Sequence, residues 1–233
     1  MPPRAGAPVS AATEPSTAIA TDRRPDAGAG PIRAGIIGAT GYVGAELIRL
    51  LSRHPAVEIV GLQGRDRHEP VGASHPHLAS TGLTVESALP DVDAVFLALP
   101  HGAAAGIVPE IAAAGTAVID LGPDFRLRSA ADYPRWYGFE HPRADLLANA
   151  VYGLPELHRA ELQALRHASP AIVGNPGCYP TATLLALAPL ARAGLIDDVV
   201  IDAKSGVSGA GRDAKSDLMF GEVNESVKAY QRG

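Results

Sequence analysis

The sequence predicts an α/β protein built on a doubly wound parallel sheet with helices on its faces. Three observations predict it. Short apolar runs alternate with helical patterns from Ile32 to Leu121, the rhythm of strands joined by crossover helices. A glycine-rich turn directly follows the first run and opens the first helix. The 46% hydrophobic content is that of a globular protein able to bury a sizeable core.

Residues 1–30 stand apart. They are rich in Ala, Pro, Gly and Thr and carry no periodicity, so they cannot repay their ordering entropy and read as a disordered tail. The tail has no apolar core of a secretory signal, and Glu14, Asp22 and Asp26 argue against a transit peptide.

From Ile32 the elements follow in order. Ile32–Ile37 reads as a short buried strand. Gly41–Arg53 reads as a helix with Val43, Leu47, Leu50 and Leu51 on one face. Val57–Leu62, Ala94–Leu99 and Ala117–Leu121 read as further strands, with an Ala-rich helix ending near Ala114 between the last two. Residues 123–170 read as a loop-rich connection with a short helix near Glu161. Ala171–Val173 and Val199–Ala203 are expected to be strands. The intervening segment, from Cys178 to Ala193, is apolar almost all round and is expected to be a helix buried between layers.

A net charge of −5 leaves no electrostatic footprint for nucleic acid or an anionic membrane. The longest apolar stretch, Thr181–Leu190, is too short to span a bilayer and is interrupted by Pro189. A single cysteine forms no internal disulfide, so the fold needs no oxidising compartment and a cytoplasmic setting is expected.

The turn Gly38-Ala39-Thr40-Gly41-Tyr42-Val43-Gly44 reads as a Rossmann-type dinucleotide site. Gly38 turns the chain out of the strand, Gly41 admits a pyrophosphate and Gly44 lets the helix pack on the sheet. The helix start then offers free N–H groups and a positive dipole end to the phosphates. The second strand runs into Leu62-Gln63-Gly64-Arg65, with Asp66 and Arg67 beyond. Guanidinium groups there suit a 2′-phosphate, so Arg65 points to NADP(H) rather than NAD, against the pull of Asp66; the alternative is two arginines solvated on a loop.

Cys178 lies in Gly174-Asn175-Pro176-Gly177-Cys178-Tyr179-Pro180-Thr181, at the expected start of the apolar helix. A lone cysteine is either a small buried hydrophobe or a nucleophile. A helix N-terminus favours the thiolate, which suits attack on an activated acyl group to give a thioester that accepts hydride. Ser205, Ser208, Gly209 and Arg212, within Lys204–Arg212, read as a cradle for an oxyanion or phosphate, or else as a flexible glycine loop. Arg126 reads as a holder of a substrate phosphate or carboxylate, or as a surface ion-pair residue.

These segments together resemble the N-acetyl-gamma-glutamyl-phosphate reductases. The resemblance runs through GIIGATGYVGAELIRLL, ALPHG, VIDLGPDFRL, YGLPE, GNPGCYPT, DAKSGVSGAGR and EVNESVKAY, from about residue 32 to the end. It implies NADPH-dependent reduction of N-acetyl-gamma-glutamyl phosphate to the semialdehyde and phosphate, in arginine biosynthesis by the acetylated route. It also implies a nucleophile at Cys178, cofactor contacts at Pro100 and Gly206, and substrate contacts that include Asn175. The architecture implied is an NADP-binding domain over residues 31–175, followed over 176–233 by part of an α+β semialdehyde-dehydrogenase-type catalytic and dimerisation domain. A small-molecule acyl-phosphate substrate, no metal, and a homo-oligomer follow from the same resemblance.

The family's acid/base histidine is expected beyond Tyr230, and all eight histidines here precede Cys178. The chain therefore reads as a C-terminally truncated form. The alternatives are a sibling acyl-phosphate reductase (of the aminoadipate pathway, or aspartate-semialdehyde dehydrogenase) and a non-catalytic NADP-binding fragment.

Overall fold

The computed structural model of the chain describes residues 30–65 and 68–229. The tail expected over residues 1–30 (Gly30 excepted), Asp66, Arg67 and the last four residues lie outside the described part.

Eight strands form one sheet: β1 Ile32–Ile37, β2 Val57–Gln63, β3 Glu69–Pro70, β4 Thr84–Glu86, β5 Ala94–Leu97, β6 Ala117–Asp120, β7 Ala150–Tyr152 and β8 Ile172–Gly174. Their order is β3-β4-β2-β1-β5-β6-β8-β7, and every pairing is parallel except β3 with β4. The order reverses between β1 and β5, so a switch point opens at the carboxyl ends of those two strands, where doubly wound sheets bind ligands.

Four longer helices accompany the sheet: α1 Tyr42–Leu51, α2 Ala104–Ala113, α3 Pro155–Ala164 and α4 Cys178–Arg192. Successive strand residues point to opposite faces, and the core divides accordingly. Ile36 packs with Ala45 and Ile48 of α1 and with Leu62 and Val85. Its neighbour Ile37 packs on the other face with Val95, Leu97, Val108 and Ile111 of α2, and Val118. Helix α1 turns Ala45 and Ile48 inward while Glu46 and Arg49 pair at 2.7 Å outside, the division that helical spacing requires.

Strand β7 was not expected. It is only three residues long and sits in a stretch otherwise rich in turns, yet it pairs in register with β8, Tyr152 opposite Gly174. The short helix expected near Glu161 is α3, which departs from helical geometry at His158.

Two expectations are overturned. Helix α4 is not buried between layers. None of its residues is buried, and Leu185 and Leu190 are 40% and 46% exposed, because no described element packs over it. Val199–Ala203 is not a strand: it pairs with nothing described, and Val200 is 96% exposed. An extended apolar segment becomes a strand only when a sheet edge accepts its backbone.

Candidate active site

The glycine turn follows β1 as the sequence requires. Gly38 has φ +88°, and a Cβ there would lie 2.2 Å from the Ala98 carbonyl oxygen, so only glycine fits. The Gly38 and Ala39 N–H groups donate to the Gln63 carbonyl at 2.9 and 3.1 Å, tying the turn to the end of β2. Gly41 is different. Its φ is −84°, and a Cβ would meet only the Gly38 carbonyl at 3.5 Å. The protein's own packing would accept alanine, and the bare backbone at the helix N-cap leaves room for a group approaching from outside. Gly41 supplies no side-chain acceptor to the first N–H groups of α1, so they stay available to an anion. The turn thus fits a dinucleotide pyrophosphate.

Behind the turn, His75 is buried and its Nε2 lies 3.1 Å from the Ala39 carbonyl. That carbonyl can only accept, so Nε2 carries the proton. Burial holds the ring below its ordinary pKa, and it supports the turn as a neutral donor. In front, Arg212 donates from Nη1 to the Thr40 carbonyl at 2.8 Å. Ser208 and Arg212 face Tyr42, Glu46, His75 and His77 across a cavity of about 440 Å³. These two members of the expected substrate cradle therefore sit at the nucleotide turn. Ser205, Gly206 and Gly209 are exposed in the same loop, where the Ser205 hydroxyl donates to the Gly206 carbonyl at 3.2 Å. Arg65 is exposed just past β2.

Pro100 begins the turn after β5, closed by Ala103 N–H to the Pro100 carbonyl at 3.2 Å. Buried Asp124 accepts from Gly102 N–H and Ala105 N–H, each at 2.9 Å. It satisfies one free donor in the first turn of α2 and joins the Pro100 turn to the turn that carries Arg126.

Cys178 is exposed and is the first residue of α4, with Gly177 as N-cap. Exposure rules out a buried hydrophobe. Arg126 is half-buried beside it: Nε donates to the Asn175 carbonyl at 2.7 Å and Nη2 to the Leu121 carbonyl at 2.8 Å. Nη1 is left facing the cysteine turn, 3.3 Å from where a Gly177 Cβ would stand. The Asn175 N–H donates in turn to the Asp120 carbonyl at 2.8 Å. Arg126 is thus not a surface ion-pair residue; it laces the turns after β6 and β8 together.

Asp120, which sequence reasoning passed over, is fully buried at the end of β6. Its Oδ1 accepts from Gly122 N–H at 2.9 Å while Oδ2 is buried without a partner. Burial, and then repulsion from Asp124, push its pKa up to about 7, against the pull of the Gly122 N–H and Arg126. A carboxylate ending a central parallel strand was the available signal. Tyr133, also passed over, donates to the Asp124 carbonyl at 2.6 Å and receives Leu127 N–H at 3.1 Å. Burial raises its pKa to about 12, so it buttresses the turn as a neutral phenol.

Residues 33–165 match the model of the semialdehyde dehydrogenase NAD-binding domain, and residues 178–233 match that of the semialdehyde dehydrogenase dimerisation domain. The chain belongs to the semialdehyde dehydrogenase family. Within it, the chain is 53% identical over 208 residues to the N-acetyl-gamma-glutamyl-phosphate reductase of Heliobacterium modesticaldum, a match covering 85% of this chain and 58% of that protein. It is 50% identical over 208 residues to the enzyme of the same name from Moorella thermoacetica, covering 85% of this chain and 59% of the relative. The chain thus spans about three fifths of the length of the curated relatives it matches.

Solved semialdehyde dehydrogenases share the fold. Aspartate semialdehyde dehydrogenase II of Vibrio cholerae, complexed with ASA, gives a TM-score of 0.52 at 21% identity, covering 79% of this chain and 49% of that one. The Candida albicans enzyme with NADP gives 0.50 at 20% identity, covering 71% and 48%. Among the described residues, no helix is long and apolar enough to cross a membrane, and no cluster of three or more His, Cys, Asp or Glu could hold a metal.

Proposed function

We propose that this chain carries the cofactor site and the nucleophile of an N-acetyl-gamma-glutamyl-phosphate reductase using NADP(H). The observation that carries the reading is the juxtaposition of exposed Cys178, at the start of α4, with the half-buried guanidinium of Arg126. Both lie on the carboxyl edge of the sheet that also bears the glycine turn. The roughly 50% identity to reductases of that name supports the choice of substrate.

Cys178 is the nucleophile. Its sulfur forms a bond to the acyl carbonyl carbon as the carbon–oxygen bond to the phosphate breaks, and inorganic phosphate leaves. Arg126 Nη1, which no described group engages, meets the charge that develops on the departing phosphate. Asn175 shapes the same turn, and Gly177 leaves space beside the sulfur. Bound NADPH would supply the hydride that brings the acyl group to the aldehyde level. The backbone of Gly38–Gly44 would hold its pyrophosphate, with Pro100 and Gly206 flanking it and Ser208 and Arg212 closing over the turn.

NADP(H) is preferred to NAD because β2 leads through Gln63 and Gly64 to an exposed Arg65, which offers a guanidinium to a 2′-phosphate. We divide the chain at residue 175, with a homo-oligomer formed through the later part and a cytoplasmic setting.

The test is single-turnover acylation. The purified chain mixed with N-acetyl-gamma-glutamyl phosphate should release phosphate in an amount equal to its Cys178 and gain the mass of the acyl group. Cys178→Ser should do neither. Equal phosphate release from both proteins would refute the assignment.

A further inference from the structure

A second recess, lined in part by Arg126, lies near the ends of β6 and β7. It lies between the Phe125–Arg128 turn and the segment that runs from Tyr152 into α3, and it encloses about 90 Å³, several times what one water molecule needs. Tyr152, the first residue of the YGLPE motif, is part of its lining and has no role at the cysteine or the glycine turn.

The lining is asymmetric. Leu147 and Val151 give an apolar side, while Arg126, Arg128, Tyr152 and His158 bring donor-bearing side chains to the rest of the lining, Arg128 being exposed. Burial raises the Tyr152 pKa while the nearby Arg126 charge opposes the rise, so its hydroxyl is a neutral donor. The one acid of the lining, Glu161, lies 3.4 Å from His158. Among the described residues nothing is hydrogen-bonded to Arg128; it reaches only the long-range field of Glu161. The recess thus pairs two guanidiniums and a phenol with an apolar wall and a single, already paired acid. That is the complement of a carboxylate on a short aliphatic chain. Tyr152 stands opposite Gly174 in the sheet, and Gly153 N–H donates to the Gly174 carbonyl at 2.9 Å. The recess is therefore continuous, through Arg126, with the cysteine turn.

We propose that this recess is a carboxylate subsite, in which Arg128 and Tyr152 grip the carboxylate end of the acyl chain while its other end lies at Cys178. The proposal rests on the acyl-phosphate chemistry assigned to Cys178. Arg126 then serves both ends, facing the departing phosphate on one side and the recess on the other. Arg128 and Tyr152 are specificity-determining residues that select substrates bearing a carboxylate remote from the reacting carbonyl.

The experiment is calorimetric titration of the 233-residue chain with N-acetyl-L-glutamate and with its α-carboxamide analogue. The acid should bind at least about tenfold more tightly, the difference that one charge-assisted contact supplies. Arg128→Ala should erase that preference and leave NADPH affinity unchanged. Tyr152→Phe should reduce it severalfold. Arg128 holds no described hydrogen bond, so circular dichroism should find the variant folded. Retention of the full preference in Arg128→Ala would overturn the subsite, as would failure of the acid to bind the wild-type chain. Phosphate release dependent on Cys178 would still uphold the acyl-phosphate reading in either case. The converse result, an Arg128-dependent preference with no acylation of Cys178, would uphold the recess as a carboxylate site and remove the reductase reading.

Discussion

Replacing Asp120 by asparagine removes a charge from a place with little means of solvating it. In the unfolded chain this carboxyl titrates near its ordinary 3.8, and in the folded protein near 7. Between those values the folded state holds a proton that the unfolded state has released. Asp120 therefore favours folding fully below pH 3.8, and that contribution is lost as pH rises to about 7. Above pH 7 the charged form penalises the fold by at most roughly 4 kcal/mol, at ~1.4 kcal/mol per pKa unit. The asparagine of Asp120→Asn keeps the acceptor for Gly122 N–H but buries an unpartnered amide N–H, which costs about 1–3 kcal/mol. The net expectation at pH 8 is a gain of roughly 1–3 kcal/mol, or several degrees in Tm for a chain of this size. At pH 5 the gain should vanish or reverse. Thermal melts of both proteins between pH 5 and 8 provide the test. His75 and His141, whose pKa values burial lowers, titrate alike in both, so the difference curve isolates Asp120. Parallel Tm profiles across that range would refute the argument.

Gly41→Val should leave the melting temperature within a few degrees, since a Cβ there meets only an ordinary contact, yet weaken NADPH binding at least tenfold by fluorescence titration. Gly38→Ala should behave in the opposite order, destabilising by ~2 kcal/mol or more in urea melts, because its Cβ would strike the Ala98 carbonyl. Arg65→Ala should weaken NADPH more than NADH, and equal losses in parallel titrations would remove its role with the 2′-phosphate. Asp124→Ala should cost about 2–4 kcal/mol in the same urea melts, since two buried N–H groups, of Gly102 and Ala105, lose their acceptor.

The elements between Ile32 and Leu121 were legible because each strand and helix carries its own period, and the glycine turn because its position between strand and helix gives it meaning. What escaped depends on neighbours distant in the chain. β7 is three residues of a proline-studded stretch and becomes a strand only because β8 lies beside it. The α4 pattern states that the helix is apolar, but no pattern states what covers it. Arg212 reads from the sequence as part of a substrate cradle because it ends a run of small residues, and nothing in that run points to the glycine turn. Its contact with Thr40 depends on a loop path spanning 172 residues of sequence. Asp120 was visible as a letter in VIDLGPDFRL, yet its unpartnered oxygen follows from how the turns after β6 and β8 close over it.

That closure has a consequence for anyone wishing to redesign the site. A Cβ on Gly174 would stand 2.0 Å from the Phe125 carbonyl oxygen, and Arg126 fastens the two turns through the Asn175 and Leu121 carbonyls. The turn that carries Arg126 and the turn that carries Cys178 therefore form one mechanical part, though 49 residues separate Arg126 from Asn175 in sequence. A library that randomises residues 121–127 while holding 174–178 fixed, or the reverse, will consist mostly of members whose halves no longer mate. Productive variation must sample both turns jointly and leave position 174 as glycine.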